Sequence, residues 1–501
     1  MTYLRPGVYV EEISTKTAPL TGSAATSIAA FVGATDKGPT TPTLVTSWAQ
    51  YTSIYGSWGT NDTVTRAIYL FFANGGSQAY VQRVVAGSPA LATVTLKDTA
   101  GTPADTLTIN AKNVGSWGNS LYVSIVSSSL GSDYFSVVVY SGGSADANVV
   151  ERFLDVTMNK DSVYYAVNVI NGGSNYIAAV DASLSDTYNS SDNPATCTAT
   201  VLTSGSNGTA PTTANIASAI SGGALDSIDN ALLLNAPGVT AQADVDPILA
   251  YAAGRKDVFV IIDGINDTAA NQITLVNTYS TANAAYGAVY FPQLVIPNPT
   301  QASTGATITV PPGGAVIGRI VTTDASRGVF KSPAGLDARL SGVVSVNNLT
   351  NTELDNLNSN NAAINAIRYI PGSGIVVMGA RTLKPGYENR YISVRRSLIY
   401  LRKQADDLTK FGLFEPNDFR LWSRIESTLQ AFLTDFWQQG GLAGNTPSDA
   451  FYVKCDEENN TDLTVANGQV IAEIGVALQR PAEFIVIRIS QYDGGAVVTI
   501  S

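Results

Sequence analysis

Four carboxylates, Asp456, Glu457, Glu458 and Asp462, fall within seven residues near the end of the sequence. That is enough hard oxygen to attract a calcium ion. Their order lacks the alternating Asp-x-Asp-x-Asp-Gly spacing that wraps one loop around the metal, so the cluster reads as a solvated acidic loop. Asp263 directly follows the apolar run Val258-Phe-Val-Ile-Ile262, and the ends of such strands are where α/β enzymes often keep their sites. The sequence contains no histidine. This removes the commonest general base and metal ligand and makes a Ser-His-Asp triad impossible. Chemistry carried by lysine or carboxylate survives that test. Cys197 and Cys455 are the only cysteines and stand far apart, which argues for small buried apolar residues rather than a disulfide framework or a cysteine zinc site. No Walker-type Gly-rich phosphate loop is present. The expectation is a protein that is not an enzyme, with no catalytic residue, no metal and no cofactor.

The other charged feature is basic. Between 390 and 410, Arg390, Arg395, Arg396, Arg402, Lys403 and Lys410 stand against Asp406 and Asp407, a net +4 in a chain of net charge −11. Acid dominates elsewhere. Between 89 and 250 there are four basic residues (Lys97, Lys112, Arg152, Lys160) and fourteen acidic ones. Such a segment repels nucleic acid and anionic membranes and reads as a soluble outer surface. No stretch reaches the roughly 18 apolar residues of a membrane span, and the start lacks a basic region followed by an apolar run. Folding in a cytoplasm without membrane insertion is expected.

A chain of 501 residues with 45% hydrophobic content exceeds one core, and about three domains are expected. Residues 1–25 read as an extended arm punctuated by Pro6, Gly7 and Pro19. In 26–88 a buried strand, Ala29-Ala-Phe-Val32, precedes a helix from Thr63 to Asn74 and a strand from Gln78 to Val85. Residues 89–205 hold short Val/Thr/Tyr-rich runs separated by turn residues, the pattern of an inserted antiparallel sandwich or barrel. Ser204 to Pro211 reads as a linker. In 206–381 strands (Ala231–Leu234, Val258–Ile262, Gly287–Phe291) alternate with helices (Ala241–Ala253, Thr268–Tyr286), which implies a parallel sheet covered by helices. In 382–482 a basic helix spans Ser393 to Leu408. An amphipathic helix from Asp418 to Gln439 carries a stripe of Trp422, Ile425, Leu429, Phe432, Leu433 and Phe436.

Both ends look like strands without a partner beside them in sequence: Val8, Tyr9 and Val10 at the start, and Glu483-Phe-Ile-Val-Ile-Arg-Ile-Ser490 at the finish. A loose strand finds an edge elsewhere, in its own fold or in another chain. A chain offering one at each end can join neighbour to neighbour without limit, so a polymer is the first functional expectation.

Motifs along the chain point the same way. They include Pro6-Gly-Val-Tyr-Val-Glu-Glu12, Phe31-Val-Gly-Ala-Thr-Asp-Lys-Gly-Pro39, Ser47-Trp48, Phe72-Ala-Asn-Gly-Gly76 and Tyr80-Val-Gln-Arg83. Pro311-Pro-Gly-Gly314, Asp324-Ala-Ser-Arg-Gly-Val-Phe-Lys-Ser-Pro-Ala-Gly335, Ile364-Asn-Ala-Ile-Arg368 and Gly379-Ala-Arg-Thr-Leu383 follow. The last are Val394-Arg-Arg396, Phe414-Glu-Pro-Asn417, Leu421-Trp422, Ala450-Phe-Tyr-Val-Lys-Cys-Asp456 and Arg480-Pro-Ala-Glu-Phe484. In this order they resemble the sheath proteins of contractile phage tails and related injection machines, over nearly the whole chain except 89–205. Met378 departs from the tryptophan often found there in that family, and residues 494–501 extend past its usual end.

The resemblance implies an α+β and α/β multidomain chain. It has a central subtilisin-like α/β domain, an inserted antiparallel β domain and a C-terminal α+β domain, with extended N- and C-terminal strand arms (483–501 for the latter). It implies a structural subunit that stacks as hexameric rings around a tail tube and contracts irreversibly to drive that tube through a cell envelope. The alternatives are the sheath of a phage-derived injection system or, less in keeping with the motifs, another surface or baseplate protein. Implied partners are further copies of itself, the tail tube protein, and baseplate and neck or terminator proteins, within a virion assembled in a host cytoplasm. Implied inter-subunit strand residues are Val8, Tyr9, Val10, Phe484, Val486 and Arg488. The basic helix, through Arg395, Arg396, Arg402 and Lys403, is the expected tube-facing surface.

Overall fold

The computed structural model describes residues 27–59, 63–183, 187–359, 363–386 and 389–483, and the backbone of 487–492 and 495–500. The chain opens with β1 (Ile28–Gly33), β2 (Thr43–Val45), α1 (Trp48–Tyr55), α2 (Thr63–Ala73) and β3 (Ala79–Arg83). An inserted unit follows: β4 (Thr93–Lys97), β5 (Asp105–Ala111), β6 (Leu121–Ser127), β7 (Phe135–Ser141), β8 (Val149–Val156), α3 (Ala166–Gly173), β9 (Ile177–Asp181) and β10 (Cys197–Val201). The chain then returns through α4 (Thr213–Ser221), β11 (Leu232–Asn235), α5 (Gln242–Arg255), β12 (Val258–Asp263), α6 (Ala269–Val276) and β13 (Gly287–Phe291). Next come β14 (Leu294–Pro297), β15 (Thr307–Val310), α7 (Gly313–Arg327), β16 (Ser345–Val346), α8 (Asn351–Leu357), β17 (Ile364–Ile370) and β18 (Gly374–Val377).

β1 and β3 lie in one sheet with the strands that follow the insertion, in the order β18-β17-β13-β12-β11-β1-β3-β2. The six inner strands run parallel, and β18 and β2 close the two edges antiparallel. Alternation explains why these strands are apolar throughout. Ala29, Phe31, Leu233, Phe259 and Ile261 face α2 and α7, while Ile28, Ala30, Leu234, Val260 and Ile262 face α4 and α5. A sheet covered on both faces tolerates few polar side chains.

α2 and α7 cross closely because α7 presents glycine. A Cβ on Gly314 would stand 2.0 Å from the Ala67 carbonyl oxygen, and one on Gly318 2.5 Å from that of Phe71. The Pro-Pro-Gly-Gly motif serves one further purpose. The Gly313 amide donates to Asp263 Oδ1 at 2.7 Å, while Asp263 Oδ2 accepts from Asn235 Nδ2 and the Gly238 amide, both at 3.1 Å. Asp263 is wholly enclosed, and burial pushes its pKa up to about 6 against these three stabilising bonds. The strand end where an α/β sheet can hold a ligand is here filled by the start of α7.

In the insertion, the sheets β10-β6-β7-β8 and β4-β5-β9 enclose a separate apolar core. The stretch expected as a flexible linker is paired instead. Ser206 bridges Ala90, and Gly208 and Thr209 bridge Ala86, so the outgoing and returning chains form a ladder. Gly208, at φ 71°, permits it: a Cβ there would stand 2.1 Å from the Ala86 carbonyl oxygen. Arg83 braces the same neck, donating to the carbonyls of Thr35, Asp36 and Gly38 on one side and Val114 on the other. The helix expected over Thr268–Tyr286 ends at Val276. Beyond it Tyr279 turns into the core and donates its hydroxyl to the Thr240 carbonyl.

The C-terminal part contains α9 (Ile392–Thr409), α10 (Phe419–Gln438), α11 (Pro447–Ala450), β19 (Phe451–Lys454), α12 (Asp462–Ala466), β20 (Glu473–Val476), β21 (Ile487–Tyr492) and β22 (Gly495–Ile500). Asp418 caps α10 by accepting from the Arg420 and Leu421 amides. Leu421, Ile425, Leu429, Phe432, Leu433 and Phe436 are its buried face, packed with Leu401, Ala405 and Val453 in a further core. No helix among the described residues is long and apolar enough to cross a membrane.

Candidate assembly surfaces

The basic helix does not present its charge as an open stripe. Arg396 is 2% exposed. Its Nη1 lies 2.8 Å from Asp324 Oδ1 and its Nη2 bonds Asp324 Oδ2. Ser27 donates to the same Oδ2 at 2.8 Å. Two motifs 72 residues apart, Val394-Arg-Arg396 and the one beginning at Asp324, thus meet as a core ion pair. Lys403 is 8% exposed and donates to Asp229 Oδ1 at 2.8 Å. That hydrogen bond holds the Asp229 carboxyl below its ordinary range. The tube-facing expectation is therefore corrected for Arg396 and Lys403: acids contributed by distant segments turn both inward, and buried charge requires such partners.

Arg395 and Arg402, seven residues apart on α9, line a cleft of about 440 Å³. Its walls include Leu398, Phe432 and Ile474, the last on β20, and Lys256 and Tyr286 stand at its side. The Arg395 guanidinium stacks on Tyr286, 3.8 Å from the ring centroid. Burial first, and the nearby Arg402 charge after it, lower the Arg395 pKa. Lys256 ends α5 in the left-handed region at φ 65°, where glycine is the usual choice.

The two chain ends differ in what is described. Val8, Tyr9, Val10, Phe484 and Val486 lie outside the described residues, and Arg488 is described by its backbone alone. The expectation that the last strand lacks a local partner is corrected. β21 pairs antiparallel with β22, Arg488 opposite Thr499 and Tyr492 opposite Gly495. Asp493-Gly494 stands between those last two, and Asp-Gly between β-forming runs is the strongest short hairpin signal. β19 and β20 make a separate two-stranded sheet, and no strand lies beside its outer edges among the described residues.

The C-terminal segment is rooted by Glu483. Arg381 donates from Nε to Glu483 Oε1 at 2.9 Å and from Nη2 to Oε2 at 2.6 Å, and the Tyr391 hydroxyl adds a bond at 3.2 Å. Both residues sit in motifs legible from the sequence; their pairing was not. The acidic loop behaves as a turn: Asp456 accepts from the Glu458 amide, and Glu458 pairs with Lys454. No group of three or more candidate metal ligands occurs among the described residues. Cys455 is buried, which raises its thiol to about 11, and Cys197 is half-buried; both are free.

Comparison with known proteins follows the same outline. A family model described as the phage tail sheath C-terminal domain matches residues 388–491. A tail sheath protein of Vibrio phage KVP40 is 30% identical over 181 residues, 36% of this chain and 26% of the relative, so the match spans about a quarter of that relative's length. The fold is shared with the sheath of an extracellular contractile injection system (PVC) in its contracted state, with a TM-score of 0.60 at 21% identity over 98% of this chain and 99% of that one. It is also shared with a sheath tail protein of Desulfitobacterium hafniense, with a TM-score of 0.54 at 14% identity over 90% and 94% of the two chains. Residues 388–491 thus match the phage tail sheath C-terminal domain, and the chain as a whole shares its fold with contractile sheath proteins.

Proposed function

We propose that this protein is the repeating subunit of a contractile tail sheath. It stacks as hexameric rings around a tail tube and shortens irreversibly to drive the tube through a cell envelope. The central unit is read as subtilisin-like in fold and not enzymatic, and the insertion as its outer surface. The observation that carries the reading is the pair of open edges on β19–β20, set in a chain whose two ends carry β-forming segments. A two-stranded sheet of four-residue strands is marginal alone and gains from added strands. A six-residue strand added to it makes about 4–6 backbone bonds, each worth roughly 0.5–1.5 kcal/mol net. Ordering the arm opposes this by about 1–2 kcal/mol per residue. One arm is therefore weak and a lattice of arms strong through multivalency. Rigid units joined this way can rotate between two packings without parting.

Partners on this reading are further copies, a tube protein, and baseplate and terminator proteins, in a virion. A phage-derived injection system is the second reading, favoured by the shared fold with such a sheath. Negative-stain microscopy of the purified protein tests both: hollow cylinders of stacked rings are expected, and monodisperse particles at all concentrations would reject the assignment.

A further inference from the structure

The insertion has a neck and a far end. At the neck Ala90 bridges Ser206 and Thr93 bridges Thr203. From there β6 runs outward to Ser127, β7 returns from Phe135, β8 runs outward again to Val156, and β9 ends outward at Asp181. These registers gather 98–104, 128–134, 157–165 and 187–196 at the far end, as a sandwich gathers its loops. The loops brace one another. Asn193 donates to the Ser132 carbonyl at 2.9 Å and accepts from the Met158 amide at 3.0 Å. The Tyr188 hydroxyl donates to the Asp133 carbonyl at 3.1 Å, and Tyr164 meets Tyr134 edge-on, 6.4 Å between ring centroids. Loops held this way lose little freedom on binding. Yet the same end leaves apolar side chains in water. Val163 is 85% and Tyr164 55% exposed, and Leu130 and Leu154 are exposed as well. Grouped apolar side chains with a polar rim mark contact sites, and tyrosine is enriched in them.

Charge selects the occupant. The described residues of these loops carry Asp98, Asp133, Asp161 and Asp192 against Lys160 alone, and Lys160 lies 3.5 Å from Asp181. Such a surface rejects nucleic acid and anionic membranes. It rejects the same end of a second copy for the same reason. Arg396 and Lys403, which could have met it from another copy, are turned inward onto Asp324 and Asp229. Val163 and Leu130 gain little from the hydroxyls of a neutral glycan and need an apolar counterpart. We propose that the far end of the insertion docks a basic polypeptide, one presenting lysine or arginine side chains around an aliphatic centre. That centre covers Val163, Tyr164 and Leu130, while the cations meet Asp133 and Asp161 at the rim. Burial at the middle supplies the affinity, and the rim charges steer approach and fix orientation. Docking of this kind is independent of how copies are joined and requires only that the insertion face outward.

Fluorescence anisotropy of the full-length protein with a labelled amphipathic peptide of lysine and leucine tests this, against a counterpart of glutamate and leucine. The basic peptide should bind and the acidic one should not. Tyr164→Ala and Val163→Ser should each weaken binding about fivefold or more, while Tyr164→Phe, which keeps the ring, should bind like the wild type. Asp161→Lys should weaken binding and flatten its salt dependence. Asp146→Lys makes the same charge change between β7 and β8, toward the neck, and should have little effect. Hydrogen exchange of 128–134 and 157–165 should slow in the complex, and melting curves of the variants check the fold. Equal weakening by Asp146→Lys and Asp161→Lys would reduce the effect to the overall acidity of the chain and overturn the proposal. So would no binding of the basic peptide, or undiminished binding by both Tyr164→Ala and Val163→Ser. Protection of the same loops by maltoheptaose instead of the peptide would overturn it in favour of a glycan. Loss of polymer in a normally folded Asp161→Lys protein would overturn it in favour of a second copy.

Discussion

Arg381 and Glu483, 102 residues apart, form a two-pronged ion pair that fixes the point where the C-terminal segment leaves the body. Their side chains are 9% and 21% exposed, so solvent screens the pair less than a surface bridge. Arg381 is itself held to the central unit by its bond to the Asn358 carbonyl at 3.0 Å. The pair thus ties the start of the C-terminal segment to the end of α8.

Replacing Glu483 with Gln should cost about 1–3 kcal/mol locally and leave the global melting temperature nearly unchanged. Hydrogen exchange of residues 478–500 should accelerate, and Arg381→Gln should do the same. The double variant should be no worse than either single one, because both remove one interaction. Unchanged exchange in both single variants would refute the anchor.

Arg396 and Asp324 are a different kind of pair. Both side chains are almost fully enclosed, at 2% and 1% exposure. Asp324→Asn should destabilise the monomer by about 3–5 kcal/mol, leaving an uncompensated buried charge, whereas Arg396→Met combined with Asp324→Leu should recover most of the loss. Urea denaturation of the wild type and the two variants measures this, and equal losses in both variants would contradict it.

The α2–α7 crossing depends on Gly314. Gly314→Ala pushes a methyl group into the Ala67 carbonyl and should cost at least about 1–3 kcal/mol. Gly254→Ala, where a Cβ meets nothing within 4 Å in the last turn of α5, should be neutral or stabilising by up to about 1 kcal/mol. Thermal melts of the two variants separate packing from propensity.

Asp263 predicts a pH dependence. Its folded pKa of about 6 lies above the ordinary carboxylate value of 3.8, so the folded protein binds the proton more tightly than the unfolded chain. The resulting stabilisation is complete below about pH 4 and disappears as pH rises through 6, an effect of about 2–3 kcal/mol. Stability of the wild type relative to Asp263→Asn should therefore fall between pH 4 and 7. A flat difference across that range would disprove the shift.

Much of the fold is legible in local pattern. β13 and β12 are apolar because both faces are covered, and α10 shows its cap and stripe directly in sequence. What escapes is pairing over distance. Nothing near Arg396 or Lys403 announces Asp324 or Asp229, so the helix reads as exposed and basic when half its charge is neutralised inside. The terminal hairpin is a different miss: Asp493-Gly494 stated it, but the run before it was read as a lone strand. Ser204–Pro211 misleads because turn-rich composition does not distinguish a free linker from a strand held by its returning partner.

The central claim is that copies are joined through their own ends, and sedimentation with microscopy of end-deleted proteins tests it most directly. Removing residues 1–26 or 484–501 should leave a monomer that melts near the full-length temperature yet forms no cylinders. Cylinders that assemble and shorten normally without either end would contradict the account.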